Sequence, residues 1–204
     1  MRARKKKHGA ERLAAVSDLF IESPELFTDK PTFLEIGCGK GKFIIENALK
    51  NPDINYIAVE KVSDVILLAA EKANSENLTN IKFMICDAKG LSEIFPAHSV
   101  DRIYLNFSDP WPKAGHYKRR LTYKAFLEVY RTILKDDGAI FFKTDNAGLF
   151  EFSLEQFKED GWDLKNITYD LHNSEFAKDN IMTEYEKNFS EKGFNIHRLE
   201  AYVK

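Results

Sequence analysis

A chain of 204 residues with 44% apolar side chains can fill the core of one ordinary domain and is short for two. The 30 Lys and Arg nearly balance 32 Asp and Glu, for a formal net charge of −2, and with 10 Gly and 6 Pro the composition excludes low-complexity and charge-driven disorder over most of the length. Two cysteines without a CxxC pair exclude a disulfide scaffold and a structural zinc site, the five histidines show no metal spacing, and no apolar run is long enough to span a membrane, so the expected setting is soluble, reducing and cytoplasmic.

Residues 1–10 hold Arg2, Arg4, Lys5, Lys6 and Lys7 and no acid. No apolar stretch follows, so they read as a flexible basic arm rather than a secretion signal, ahead of a single domain over 11–204. Residues 11–22 carry the pattern of a short amphipathic helix, and Pro24 and Pro31 bracket a loop. Strands and helices then alternate. A strand over 32–36 leads to a helix over 41–50, stopped by Asn51-Pro52. A strand over 54–59 precedes a helix that Ser63 caps and that runs to about residue 74. A strand over 81–85 precedes a short helix ending near Pro96. A strand over 100–107 precedes a helix over 121–135, in which Tyr123, Phe126, Leu127, Tyr130, Ile133 and Leu134 recur at helical spacing. A strand over 139–143, after the turn Asp136-Asp137-Gly138, precedes a helix over 147–160 closed by Gly161. The alternation ends there: 162–171 and 194–203 both look like strands, with no long helix between them. Five βα units and two final strands imply an α/β fold with a mostly parallel sheet and an antiparallel C-terminal edge. In such a sheet ligands bind at the carboxyl ends of the strands, where the strand order reverses.

Chemistry-bearing residues gather at those ends. Gly37, Gly39 and Gly41 alternate in the turn after the first strand, where backbone can approach a ligand closely. The spacing is not that of a Walker A loop, because Ile36 and Phe43 occupy required Gly and Ser/Thr positions, and the third Gly comes one position early for a dinucleotide fingerprint. Glu35, two residues before Gly37, would repel a pyrophosphate and suits a cationic or amine-bearing ligand. Glu60 ends the second strand, where a carboxylate can accept both hydroxyls of a ribose. Asp87 ends the third and can accept an exocyclic amine. After the fourth strand comes Asn106-Phe107-Ser108-Asp109-Pro110-Trp111-Pro112-Lys113. Its prolines stiffen the loop and present Trp111 as a stacking surface for a flat substrate. A second basic patch, Lys113, Lys118, Arg119, Arg120 and Lys124, contains no acid and suits a polyanion. Cations just before the 121–135 helix oppose its macrodipole by roughly 0.3–1 kcal/mol each, which points to an anionic partner.

The three acids beside a Gly-rich turn resemble the class I S-adenosylmethionine-dependent methyltransferases. That resemblance implies a Rossmann-like fold with a seven-stranded sheet, and an acidic pocket suits the sulfonium and ammonium of that cofactor. Asp109-Pro110-Trp111 also looks like the Asp/Asn-Pro-Pro-aromatic motif of amino-methylating enzymes, with Trp111 in place of the second proline. The longer run from Asn106 to Lys113, His116, Lys118-Arg119-Arg120-Leu121-Thr122, Phe142-Lys143-Thr144-Asp145-Asn146 and Thr183-Glu184-Tyr185-Glu186 resembles the bacterial tRNA (guanine-N7-)-methyltransferase family over about 11–202. The resemblance implies that Glu35, Gly37, Gly39, Gly41, Glu60, Lys61, Asp87, Ala88, Asn106 and Asp109 surround the cofactor, with Asp109 catalytic. It also implies that Lys113, Asp145, Thr183, Glu184, Tyr185 and Glu186 face the substrate, and that Lys118, Arg119 and Arg120 meet RNA. Gly115 departs from the family, which usually has arginine there, so one phosphate contact falls to Lys118 or to the arm.

The implied reaction is methyl transfer to N7 of the variable-loop guanine at conventional position forty-six. Guanine N7 carries a lone pair and no proton, so no general base is required, and catalysis reduces to positioning and to anions matched to a cationic product. Asp145 and Glu184 or Glu186 would grip the donor edge of the base, with Asp145 also able to cap the helix at 147. The base must leave the tRNA core, at a cost of a few kcal/mol. Two alternatives stand beside this: a methyltransferase acting on another nucleobase or an amide amine, and a non-catalytic RNA-binding relic of the fold. The implied partner is tRNA, without a membrane or an obligate protein partner, for a monomer or homodimer.

Overall fold

Alternation along the strands sets the layers. In the computed structural model, which describes residues 9–24 and 30–204, seven strands form one sheet: β1 (Thr32–Ile36), β2 (Asn55–Val59), β3 (Ile81–Met84), β4 (Val100–Asn106), β5 (Leu134–Thr144), β6 (Asp163–Thr168) and β7 (His197–Tyr202). Their order is β3-β2-β1-β4-β5-β7-β6, with the first five parallel to one another and β7 antiparallel to both β5 and β6. Leu34, Ile36, Ile57, Val59, Ile103, Leu105, Ile140 and Phe142 point to one side. There they pack with α4 (Leu91–Ile94), α5 (Lys124–Ile133) and α6 (Ala147–Glu159). On the other side Tyr56, Ala58, Ile81 and Phe83 pack with α2 (Lys42–Lys50) and α3 (Ser63–Ser75), and Val16, just after α1 (Gly9–Ala14), joins them. Beyond α2, the β5–β7 part of this second face is covered by residues 171–190, which include α7 (Glu184–Ser190).

Several expected elements differ. The helix over 11–22 is α1 followed by a 3-10 turn, Ser17–Leu19, after which the chain turns extended. Phe20 bridges Phe83, and Ile21 N donates to Phe83 O at 3.0 Å, because β3 offers a free edge. Ser63 is the first helical residue of α3 rather than its cap. Val62 occupies the cap position, and its N–H is satisfied by the Glu60 carboxylate at 3.1 Å. The helix over 121–135 starts later, at Lys124, and Lys118 and Arg119 belong to a separate 3-10 turn, Ala114–Arg119, so only Lys124 of the basic patch lies in its first turn. The argument from an opposed macrodipole therefore falls away. β5 begins at Leu134 through an irregular pairing with Val100. The last helical segment, α7, was absent from the expected elements. The arm expected over 1–10 lies, through residue 8, outside the described residues, and among those described no helix is long and apolar enough to cross a membrane.

Gly41 controls how closely α2 and α3 approach. It holds the N-cap of α2 at φ +78°, and a Cβ built there would lie 2.5 Å from the Cβ of Ala69 on α3. Both the backbone conformation and the contact exclude a side chain. Gly41→Ala is expected to lower stability by about 2–4 kcal/mol, read as a fall in the denaturation midpoint at unchanged m-value.

Candidate active site

The chain leaves β1 and β4 in opposite directions, so the carboxyl ends of these neighbouring strands open on a crevice. Two clefts meet there. One, of about 490 Å³, is lined by Glu60, Lys61, Asp87, Ala88, Asp109 and Trp111, among others. The other, of about 330 Å³, runs from Glu35, Gly39 and Gly41 to Thr183, Glu184 and Tyr185. Gly37, Asn106 and Phe107 line both. The residues expected around a cofactor thus line one or other of two adjacent clefts.

The turn after β1 is closed by hydrogen bonds onto β2, as Gly37 N and Cys38 N both donate to Val59 O, at 2.8 and 3.1 Å. Gly37 sits at φ +82°, and a Cβ there would meet nothing within 4 Å, so bare backbone faces open space. Behind it, Glu35 is 2% exposed and accepts from Asn106 Nδ2 at 2.9 Å through Oε1. Glu35 Oε2 and Asn106 Oδ1 are buried acceptors without a partner. Burial pushes the Glu35 carboxyl up to about 7. The Asn106 bond and the charge of Lys143 pull it down, and Glu60 adds to the rise. Glu60 and Asp87 are each anchored through one oxygen, to Val62 N and to Lys89 N at 3.0 Å, the latter capping the 3-10 turn Ala88–Gly90.

The loop after β4 holds two non-glycine residues in the left-handed region, Phe107 at φ +52° and Trp111 at φ +42°. Arg120 pins it: Nε donates to Pro110 O at 2.8 Å and Nη2 to Trp111 O at 3.4 Å, with the guanidinium 4.4 Å over the Phe152 ring. Arg120 was expected to meet RNA. In the structure its guanidinium donates to the loop carbonyls from behind. Arg119 lines the first cleft with its guanidinium 4.9 Å over the Trp111 ring. Lys113 and Lys118 are exposed on and beside the Ala114–Arg119 turn, outside both clefts.

α7 supplies the other wall. Thr183 caps it in a reciprocal box with Glu186: the Thr183 hydroxyl accepts from Glu186 N at 2.9 Å and Glu186 Oε2 accepts from Thr183 N at 3.3 Å. Glu186 is fully buried, and its carboxylate also meets Lys143 Nζ at 2.8 Å, His172 Nε2 at 2.9 Å and Asn180 Nδ2 at 2.6 Å. Lys143 in turn reaches Asn180 Oδ1 and Ile181 O, at 2.9 and 3.0 Å. Burial alone would raise Glu186, but Lys143 and its other donors hold it below the usual carboxylate range. A carboxylate so engaged fixes the start of α7 from within the protein. Glu184 is likewise occupied at the surface, 3.4 Å from both Lys40 and Lys72. Tyr185 stacks on Phe189 at 4.1 Å between centroids, lies 5.2 Å from the Phe107 ring, and reaches Asp145 Oδ2 at 3.5 Å. Asn146, not Asp145, caps α6, accepting from Leu149 N at 2.8 Å, so Asp145 is free of that duty. From the sequence, no site role was assigned to Lys143, His172 or Asn180.

Residues 29–199 match a family model described as "Putative methyltransferase". A tRNA (guanine-N(7)-)-methyltransferase of Brevibacillus brevis is 48% identical over 202 residues, 95% of this chain and 94% of that protein. The chain belongs to the tRNA (guanine-N(7)-)-methyltransferase family. Proteins of the same name from Lactococcus lactis subsp. cremoris and Macrococcus caseolyticus are 47% and 54% identical, over 98% and 84% of this chain and 97% and 81% of theirs. The fold alone extends further. The 16S rRNA methyltransferase KamB superposes with a TM-score of 0.65 at 15% identity, covering 100% of this chain and 96% of that one. A SAM dependent methyltransferase from Aquifex aeolicus superposes at 0.59 and 13% identity, covering 95% and 90%. The sheet is therefore that of the class I methyltransferases, with its antiparallel C-terminal edge.

In this member of the tRNA (guanine-N(7)-)-methyltransferase family, the raised Glu35 carboxyl carries a stability cost with a definite sign. Below about pH 4.5 the carboxyl is protonated in both folded and unfolded chains and costs nothing. As pH rises, the unfolded chain ionises first and the folded chain loses ground until about 7, after which the deficit persists. Glu35→Gln is therefore expected to stabilise the ligand-free protein at pH 8 and leave it unchanged at pH 4, measured by urea denaturation at both values.

Proposed function

We propose that this chain transfers a methyl group from S-adenosylmethionine to N7 of a guanine in tRNA, the variable-loop guanine implied by its family. One observation carries the site: Glu35 Oε2 and Asn106 Oδ1 are buried and unpartnered where the two clefts join, an arrangement suited to a cationic ligand with amine donors. The other residues fit the same molecule. Glu60 suits its ribose hydroxyls, Asp87 its adenine amine, and the bare backbone at Gly37 its close approach, with Gly39, Gly41, Lys61 and Ala88 completing the lining. When bound, S-adenosylmethionine supplies an electrophilic methyl on a sulfonium. The choice of guanine N7 in tRNA rests on the relatives.

The chain's own contribution is geometry and charge. Asp109 sits exposed at the cleft beside Trp111, where it holds the base and opposes the positive charge of a methylated purine. Asp145, bonded only weakly to the Tyr185 hydroxyl, offers a carboxylate to the base's donor edge. Trp111, backed by Arg119, gives the base a flat surface. Thr183 and Glu186 fix the start of α7, and Glu184 latches that helix to Lys40 of the glycine turn. Lys113, Lys118 and Arg119 take phosphates, with the basic residues of 1–10 adding charge outside a single catalytic domain over 11–204.

Incubation of unmodified tRNA with the protein and labelled S-adenosylmethionine is expected to yield N7-methylguanine in the variable loop, mapped by chemical cleavage at the modified base; label on another base or on protein would reject the assignment. Asp109→Ala is expected to lower kcat at least about 100-fold while the cofactor dissociation constant moves less than about threefold. Arg119→Ala is expected to weaken tRNA binding and to reduce the slope of log affinity against log salt by about 1, measured by filter binding from low to moderate salt.

A further inference from the structure

A further cleft, of about 640 Å³, lies on the α2 side of the sheet, between α2 and residues 176–181. It meets the other two clefts at Asn106 and contains none of the acids assigned to the cofactor. Its floor comes from alternate residues of four strands: Phe33 of β1, Arg102 of β4, Phe141 of β5 and Arg198 of β7, followed by Phe176.

These side chains form a ladder of rings and guanidinium groups. Arg102 lies 4.4 Å from the Phe33 centroid and 4.0 Å from that of Phe141; Arg198 lies 5.5 Å from Phe141 and 4.7 Å from Phe176. The two arginines differ in what they do with their edges. Arg198 is paired with the buried Glu200 and also donates to Asn166 O. Arg102 makes one hydrogen bond, from Nη1 to the Tyr104 hydroxyl at 3.1 Å, and among the described residues no carboxylate lies within ion-pair distance of it. Stacking occupies the two faces of a guanidinium and fixes its plane, but uses none of its five N–H donors. Arg102 is therefore a preorganised fork with most of its donors unspent.

The surroundings are cationic and polar. Lys50 on α2 and Lys178 opposite are exposed at the mouth, and neither pairs with an acid among the described residues. Lys143 at the inner end is neutralised by Glu186, and Asp179 is the one lining carboxylate other than Glu200. The Tyr56 hydroxyl lies buried in the floor without a hydrogen bond, with the Asn51 amide a loose polar neighbour. A planar, unpaired guanidinium among aromatic rings, with two further cations at the entrance, matches a phosphate group carrying a flat ring.

We propose that the Arg102 cleft is a second nucleotide site, in which Arg102, Lys50 and Lys178 take the phosphate and the base lies along the edges of the half-buried rings Phe33, Phe141 and Phe176. Because Asn106 lines both this cleft and the methyl-transfer crevice, the nucleotide can be a residue of the bound RNA strand, an assignment that rests on the proposed tRNA reading. It can also be a free nucleotide that reports to the crevice through Asn106.

Titration of the full-length protein with uridine 5′-monophosphate, followed by NMR with the cofactor crevice saturated by S-adenosylhomocysteine, tests the site. Shifts are expected at Arg102, Phe33, Phe141 and Lys178. Arg102→Gln is expected to weaken the nucleotide at least tenfold, with Arg102→Lys recovering only part, since it keeps the charge and loses the fork. Lys50→Ala combined with Lys178→Ala, both at exposed positions that leave folding undisturbed, is expected to weaken it at least threefold. A tenfold rise in KM for tRNA in these variants, at unchanged KM for S-adenosylmethionine, identifies the RNA strand as the source. An unchanged KM for tRNA with lost nucleotide binding identifies a free nucleotide. Absence of nucleotide binding to the wild-type protein, or shifts confined to residues around Glu60 and Asp87, overturns the site and leaves the methyl-transfer assay to judge the proposed function separately.

Discussion

The Glu35 carboxylate ends the strand at which the sheet changes direction, and it is held out of water there with only half of its acceptor capacity used. Burial alone would keep it protonated, so two neighbours oppose that tendency: the Asn106 amide, by direct bond, and the Lys143 ammonium, by charge. Lys143 is not free to serve Glu35 alone. Burial pulls its own proton affinity below the ordinary lysine range, and Glu186 offsets only part of that fall. The state of the carboxyl beneath the glycine turn therefore depends on a glutamate that starts a helix on the opposite wall. Removing Glu186 would leave Lys143 buried with less compensation, and burying an unmatched ion costs several kcal/mol. Glu35 and the start of α7 share one ammonium.

The loop after β4 shows a second kind of constraint. Phe107 and Trp111 occupy backbone conformations that L residues disfavour, at a cost on the order of 1 kcal/mol or more each. They bracket Ser108, Asp109 and Pro110, so the strain falls where the aspartate is aimed. Arg120 holds the loop from behind by binding its carbonyls, and Phe152 on α6 supports the guanidinium. Placing the Asp109 carboxylate thus depends on a residue whose charge is directed into the protein.

The strand ends were legible because each is a short apolar run closed by glycine or acid, and in a parallel sheet those ends share one edge. Glu35, Glu60, Asp87 and Asn106 needed nothing beyond that placement. α7 escaped notice because it lacks an apolar stripe. Its one buried residue is Glu186, and its aromatic residues stack on each other and on Phe107. A signal was nonetheless present, since Thr183-x-x-Glu186 has the form of a capping box. A lysine inside the apolar run Ile140-Phe141-Phe142-Lys143 could also have announced a buried partner. Arg120 carried no such mark, because its acceptors are carbonyls nine and ten residues earlier, which only the folded loop brings back. The extended stretch at Phe20 and Ile21 was hidden for a similar reason: its hydrogen bond goes to an edge some sixty residues away.

β7 comes last among the strands yet lies between β5 and β6. Its six residues complete the backbone pairing of the strand that carries Lys143, with Lys143 opposite Arg198 and Thr144 opposite His197. During translation, everything up to α7 emerges before the piece that fills this gap. Until then β5 has an open edge, and Phe141 lacks the arginine that lies over it from β7. Polypeptides terminated ahead of His197 would expose an adhesive seam and lack a finished floor beneath the crevice.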